Sequence, residues 1–188
     1  MDQPAQHQPH PVLACVENLE AELKAVRDVQ PTFMTTGQKE LALLGIASAQ
    51  AQLVELKLRV LAAAGDLAET EGARDLGSWL CGHTRTDLRT ARAETALAEA
   101  LDRRWHQVAA AMAEGLVSPA QAKVIVEALD ALPAEVDPSL VEKAEGQLVA
   151  WCTRFTPHEL RALGKRILAV VDPDTGNQAD AQRLQEEE

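Results

Sequence analysis

Three arginines, Arg85, Arg89 and Arg92, follow a short apolar segment and a Gly82-His83 pair at spacings of four and three. On one helix those spacings share a side. Guanidinium groups there reach phosphate oxygens or guanine edges. The preceding stretch, Asp75 to Thr84, reads as a short helix closed by a Gly turn, and Thr84-Arg85-Thr86-Asp87 reads as a start signal for a second helix to about Leu101. That is the outline of a helix-turn-helix DNA reader. The same residues also fit a solvated helix face, with Asp87, Glu94 and Glu99 as partners. The segment is locally unusual in either case: residues 74–106 hold six Arg against five carboxylates, in a chain whose net charge is −11.

A second basic group is Arg154, Arg161, Lys165 and Arg166, with Glu159 as the only nearby acid. Contact with nucleic acid is one reading. The other is structural, since cations late in a helix complement its dipole. Metal chemistry has weaker support. Cys81-Gly82-His83 and the pair Cys152 and His158 contain ligand types, but neither has a second close pair, and a zinc site needs four converging ligands. His106 stands alone. No Gly-rich phosphate loop, GxSxG or HExxH occurs in the chain. No catalytic residue, no metal ligand, no cofactor and no small-molecule substrate is therefore assigned to this chain. Trp79, Trp105 and Trp151 read as core anchors rather than as stacking platforms for bases.

The elements that must position these groups are helical throughout. Aromatic residues make up only 3% of the chain and Tyr is absent, so the core must be built from Ala, Leu and Val, which favours close helix-on-helix packing. The length, 188 residues, suits one domain with one sizeable core. Val12–Val29 reads as a first helix ended by Pro31. Thr35-Thr36-Gly37 starts a long helix to about Ala64 whose apolar residues cover most of its circumference. Such a helix is central to a bundle or lies in an oligomer interface. Ser118-Pro119-Ala120-Gln121 and Thr156-Pro157-His158-Glu159 are capping boxes with Pro at the first helical position, and Asp137-Pro138 repeats the cap. They predict helices over 119–131, 138–153 and 157–171. Further helices are expected over 73–81 and 102–114. No period-two run suggests a strand. The expected fold is all-α: a single elongated domain of six to eight helices over residues 11–173, with one long central helix. A polar tail over residues 1–10, predicted to be disordered, precedes it, and an acidic tail or cut-short linker, residues 174–188, follows.

Three cysteines with no CxxC pair argue against a disulfide framework and fit a reducing cytoplasm. The N-terminus lacks the pattern of a secretory signal. The most apolar stretch, Leu41–Leu61, is interrupted by Glu55, Lys57 and Arg59, so no membrane span is expected.

Several blocks together resemble a known family. They are Ala73-Arg74-Asp75-Leu76-Gly77-Ser78-Trp79-Leu80, the Asp87-Leu-Arg-Thr-Ala-Arg-Ala run, Gly115-Leu-Val-Ser-Pro-Ala-Gln-Ala-Lys-Val-Ile125, Phe155-Thr-Pro-His-Glu-Leu160, and Val171-Asp-Pro-Asp174. They are similar to the actinobacterial domain of unknown function 222, also called the 13E12 repeat family, over roughly residues 35 to 176. The resemblance implies a helical N-terminal domain that commonly precedes an HNH endonuclease domain, in proteins often present in several copies. The HNH motif binds a divalent metal and activates water for phosphodiester cleavage. No such motif occurs here, so no catalytic residue is carried over, and a metal is expected only in an HNH domain. Either the chain is the N-terminal piece of a longer nuclease-like protein or it is a short member, and the polar tail favours the first. Two functions follow as expectations. One is a non-catalytic accessory domain that positions a nuclease on DNA through Arg85, Arg89 and Arg92, with Arg161, Lys165 and Arg166 as a second contact. The other is an interaction or homodimerisation module built on the helix over residues 36–64.

Overall fold

The computed structural model describes residues 10–171. The N-terminal tail before His10, the Asp172-Pro173-Asp174 stop and the acidic tail lie outside the described residues. Within them the chain forms nine α-helices and no strand: α1 (Pro11–Ala25), α2 (Thr36–Ala63), α3 (Leu67–Thr70), α4 (Leu76–Thr84), α5 (Leu88–Arg103), α6 (His106–Ala113), α7 (Pro119–Asp130), α8 (Pro138–Trp151) and α9 (Pro157–Val171). The fold is all-α, as the composition and the capping signals imply. The helix beyond the expected six to eight is α3, whose four residues are too short to leave a periodic signature. Helix α1 stops at Ala25, short of the Val29 expected, and Pro31 instead opens a 3₁₀ turn, Pro31–Phe33.

The chain divides into two compact units, Met1–Ala42 and Leu43–Glu188. In the first, α1 buries no residue. Thr35 and Gln38 form a reciprocal cap at the start of α2: the Thr35 amide donates to Gln38 Oε1 at 2.8 Å, and the Gln38 amide to Thr35 Oγ1 at 3.3 Å.

The second unit holds the core, and its central helix is α7, not α2. Helix α7 packs against α5, α6, α8 and α9. It buries Gln121, Ala122, Val124, Ile125, Val126 and Leu129. The capping box fixes where α7 begins, with Ser118 and Gln121 each accepting from the other's backbone amide. Ile125, Leu148 and Leu160 are fully enclosed. Each contributes roughly 2–3 kcal/mol of transfer free energy, and together they join α7, α8 and α9.

Helix α2 is as long as its pattern predicts, but it buries only Ala51, Glu55, Leu58 and Leu61. Its all-round apolarity suits the centre of a bundle or an oligomer interface, and within the second unit only one stripe of its C-terminal half meets the bundle. By length and composition alone α2 also meets the measure of a membrane-crossing helix, one that the core helix of a bundle can meet too. Its C-terminal half is tied to the bundle by Leu58 and Leu61 and by a Lys57–Glu94 ion pair at 2.6 Å.

Three side chains lock the second unit together. Gln121 accepts from Ser118 and also donates through Nε2 to the carbonyls of Cys152 (2.8 Å) and Phe155 (3.0 Å), tying the start of α7 to the end of α8. Asp130 accepts from Trp105 Nε1 at 2.8 Å and pairs with Arg104 at 2.8 Å, so the end of α7 holds the α5–α6 junction. Glu145 of α8 accepts from the backbone amides of Gln107 (2.9 Å) and Val108 (3.1 Å). Those are first-turn amides of α6, whose own N-cap, Trp105, supplies no side-chain bond.

Candidate nucleic-acid interface

The α4–α5 pair that carries the first basic group is built around two residues the sequence reading left unassigned, Asp75 and Gly77. Asp75 caps α4, accepting from the Ser78 amide at 2.6 Å. Gly77 lies at a close approach of α4 and α5: a Cβ there would sit 2.8 Å from Arg92 Cγ and 3.3 Å from Arg92 Cα. Arg92 therefore lies flat across Gly77 and ends on Asp75, with Nη2 2.9 Å from Oδ2. The carboxyl of Asp75 is held below the ordinary carboxylate range, first by hydrogen bonds from Ser78 and further by Arg92. An Asp at an N-cap with Ser three residues on, followed by a mid-helix Gly, was the available signal; it lacks the Glu or Gln that completes a capping box.

The turn falls later than expected. Gly82 and His83 lie inside α4, and the His83 ring stacks on Trp79 at 4.4 Å. The helix ends at Arg85, which takes a left-handed backbone (φ 58°). Thr84 does not cap α5; its hydroxyl donates back to the Leu80 carbonyl at 2.7 Å. The N-cap of α5 is Asp87. Arg85 is thus in a three-residue turn, Arg85-Thr86-Asp87, and only Arg89 and Arg92 share a helix. The expected single face of three arginines is not formed. Arg85 and Arg89 are exposed at the turn, and no carboxylate among the described residues pairs with either. Arg92, Arg103 and Arg104, by contrast, are each ion-paired, to Asp75, Glu99 and Asp130.

A cleft of about 510 Å³ lies between α2, α4 and α5. Its charged lining is largely self-neutralised by the Asp75–Arg92 and Glu99–Arg103 pairs, leaving Asp102. Among the described residues, no three His, Cys, Asp or Glu side chains gather as a metal site requires. Cys152 is buried, its thiol donating to the Leu148 carbonyl. Trp105 is a core anchor, while Trp79 is half-buried with its Nε1 enclosed and unpartnered.

The second basic group is on α9. Its capping box forms as the sequence predicts: the Thr156 amide and hydroxyl both donate to Glu159. Arg161, Lys165 and Arg166 are exposed. Arg161 and Lys165 rim a cleft of about 260 Å³ between α7 and α9, floored by Val124, Ala128 and Leu168. Arg166 is about 100° farther round the helix from Lys165 and does not line that cleft. Arg154 is exposed at the end of α8. The two basic groups are therefore carried by different helix pairs, α4–α5 and α7–α9.

The family whose profile matches is described as a domain of unknown function, DUF222, and the match runs over residues 39–187. The chain belongs to the DUF222 family. The match takes in α4, α5, α7 and α9, and so every cation assigned to the two groups. No curated protein and no solved structure matches the chain. The family assignment agrees with the resemblance carried by the Gly115–Ile125 block, which the fold uses as the capped start of its central helix, α7.

Proposed function

We propose that this DUF222 chain is a non-catalytic accessory domain that holds a nuclease of the HNH type on DNA, with the α4–α5 helix-turn-helix as its DNA-facing surface. One observation carries the reading. In a chain where 29 carboxylates outnumber 18 cationic side chains, Arg85 and Arg89 are exposed at one turn without a carboxylate partner. Arg85 lies in the turn itself and Arg89 in the first turn of α5, so the two cations are close together in sequence at the α4–α5 junction. Two guanidinium groups at a turn suit phosphate oxygens, which give affinity without reading sequence. Arg161 and Lys165 on α9 would extend the phosphate track. The nuclease partner rests on the family resemblance, and DNA as ligand implies a cytoplasmic location. The acidic remainder of the chain limits affinity, and the arginine–phosphate contacts make binding weaken as salt rises.

Fluorescence anisotropy of the whole chain with labelled duplex, titrated against salt, tests the reading. Binding should weaken with salt, and R85A/R89A should reduce the slope of log K against log salt by about two. Absence of binding at low salt, or an R85A/R89A variant that binds like the parent, overturns it.

A further inference from the structure

We propose that the exposed face of α2 is a self-association surface, on which a second copy of this chain lies antiparallel. The stripe Leu43, Ile46, Gln50 and Leu53 recurs at three, four and three residues, so it stays on one face of the helix. At 100° per residue it lies well away from the buried Ala51, Glu55 and Leu58, and only beyond Leu53, at the buried Leu61, does the bundle close over the azimuth of Leu43. Leu43, Ile46 and Leu53 are 68%, 56% and 45% exposed. Leu44 is on the line of the buried stripe, yet it is 64% exposed. The bundle therefore leaves this part of α2 uncovered, although Gly115 comes close to Ser48.

Two properties select a second copy as the occupant. Residues 41–54 contain no charged side chain, in a chain with net charge −11. Two such chains repel each other over most of their surfaces, and this neutral stretch is where they meet without like charges opposed. The stripe is also symmetric about Ser48. An antiparallel copy places Leu43 opposite Leu53 of its partner and Ile46 opposite Gln50, and the same pairs recur on the other side of the two-fold axis. That self-complementarity is what an isologous interface requires. The inference is independent of the DNA reading, since it uses none of the same residues.

The test is the mass of the full chain by light scattering and sedimentation across concentration, with vesicle co-sedimentation in parallel. The wild type should run at twice the chain mass. L43E and I46E, both at exposed positions, should weaken the dimer by about a hundredfold, as a buried unpaired charge does, while the melting temperature of the diluted chain is unchanged. The double variant L43E/L53K should regain the dimer, because the new carboxylate of one copy faces the new ammonium of the other. A wild type that stays monomeric overturns the proposal, as does a dimer indifferent to L43E and I46E. Binding of a monomeric chain to neutral vesicles assigns the face to a membrane surface instead. A monomeric L43E/L53K overturns the antiparallel register.

Discussion

Arg92 of α5 closes on Asp75, the N-cap of α4, at 2.9 Å. This contact separates Arg92 from the two arginines with which its spacing groups it. Its aliphatic stem covers Gly77 and its guanidinium is engaged with a carboxylate that is itself bonded to Ser78. Moving it to a phosphate would uncover the α4–α5 joint. R92A should therefore lower the melting temperature and leave DNA affinity unchanged, whereas R85A and R89A should do the reverse. Circular dichroism melts, with anisotropy recorded well below both melting points, separate these effects. A loss of DNA affinity in R92A equal to that in R85A would overturn the division of roles.

Glu145 makes a second prediction. It is 5% exposed and supplies both acceptor contacts for the first amides of α6. Removing it leaves two donors enclosed without partners, at about 1–3 kcal/mol each before the site relaxes. E145A should cost about 2–4 kcal/mol in urea unfolding. E145Q retains one carbonyl oxygen within reach of those amides and should cost about half as much. Equal losses in the two variants would mean that the charge, rather than the acceptor geometry, holds α6.

Much of this fold was legible because helix starts are written locally. Ser118, Asp137 and Thr156 mark α7, α8 and α9 to within two residues, since a cap and its helix lie adjacent in sequence. The α4–α5 joint was misplaced for the opposite reason. Gly82 looks like a turn residue, but the residue that takes the left-handed conformation is Arg85, and the choice between them depends on how α4 packs through Gly77 and Leu80. Glu145 was invisible because it caps a helix 38 residues away along the chain. The sequence left α2 either at the centre of a bundle or in an oligomer interface because hydrophobicity reports which side chains avoid water and not which partner covers them; the structure removes the first. The basic residues were found by type and spacing, but their availability depends on ion pairs such as Arg92–Asp75 that only the fold creates.

The contact between Gly164 and Ala128 makes a third prediction. A Cβ at Gly164 would lie 2.6 Å from the Ala128 Cβ, on the α7–α9 face. That is inside any tolerated carbon–carbon contact, and the helices must part to admit it. G164A should destabilise by about 1–3 kcal/mol, and A128G should recover most of that loss in the double variant. A double variant no more stable than G164A alone would place the strain elsewhere. The measurement is a denaturant double-mutant cycle.

Acid stability follows from three capping carboxylates. Asp75 and Asp137 are held below their ordinary value of 3.8 by bonds from Ser78 and Ser139, and Glu159 is held below 4.5 by bonds from Thr156. As pH falls, the unfolded chain binds protons before the folded one does. The caps are therefore fully stabilising above the unfolded values and lose that contribution as pH drops through the lower folded ones. The melting temperature should be level from neutrality to about pH 5 and fall below that. D75N/D137N should start lower and fall less steeply. An acid limb identical to the parent's would remove these groups as its cause.

Cys152 and Cys15 should differ in reactivity. Burial raises the Cys152 thiol to about 11, and its hydrogen is directed at the Leu148 carbonyl within α8. At pH 8 it is almost wholly the unreactive thiol, and it is enclosed as well. Cys15 is exposed on α1. Brief alkylation of the native chain at pH 8, followed by peptide mass mapping, should label Cys15 and spare Cys152. Labelling of Cys152 should follow global unfolding and so rise with urea along the same curve as the loss of helicity. Rapid native labelling of Cys152 would mean that α8 opens locally, and the Gln121 bond to the Cys152 carbonyl would then be too weak to hold the end of that helix against α7.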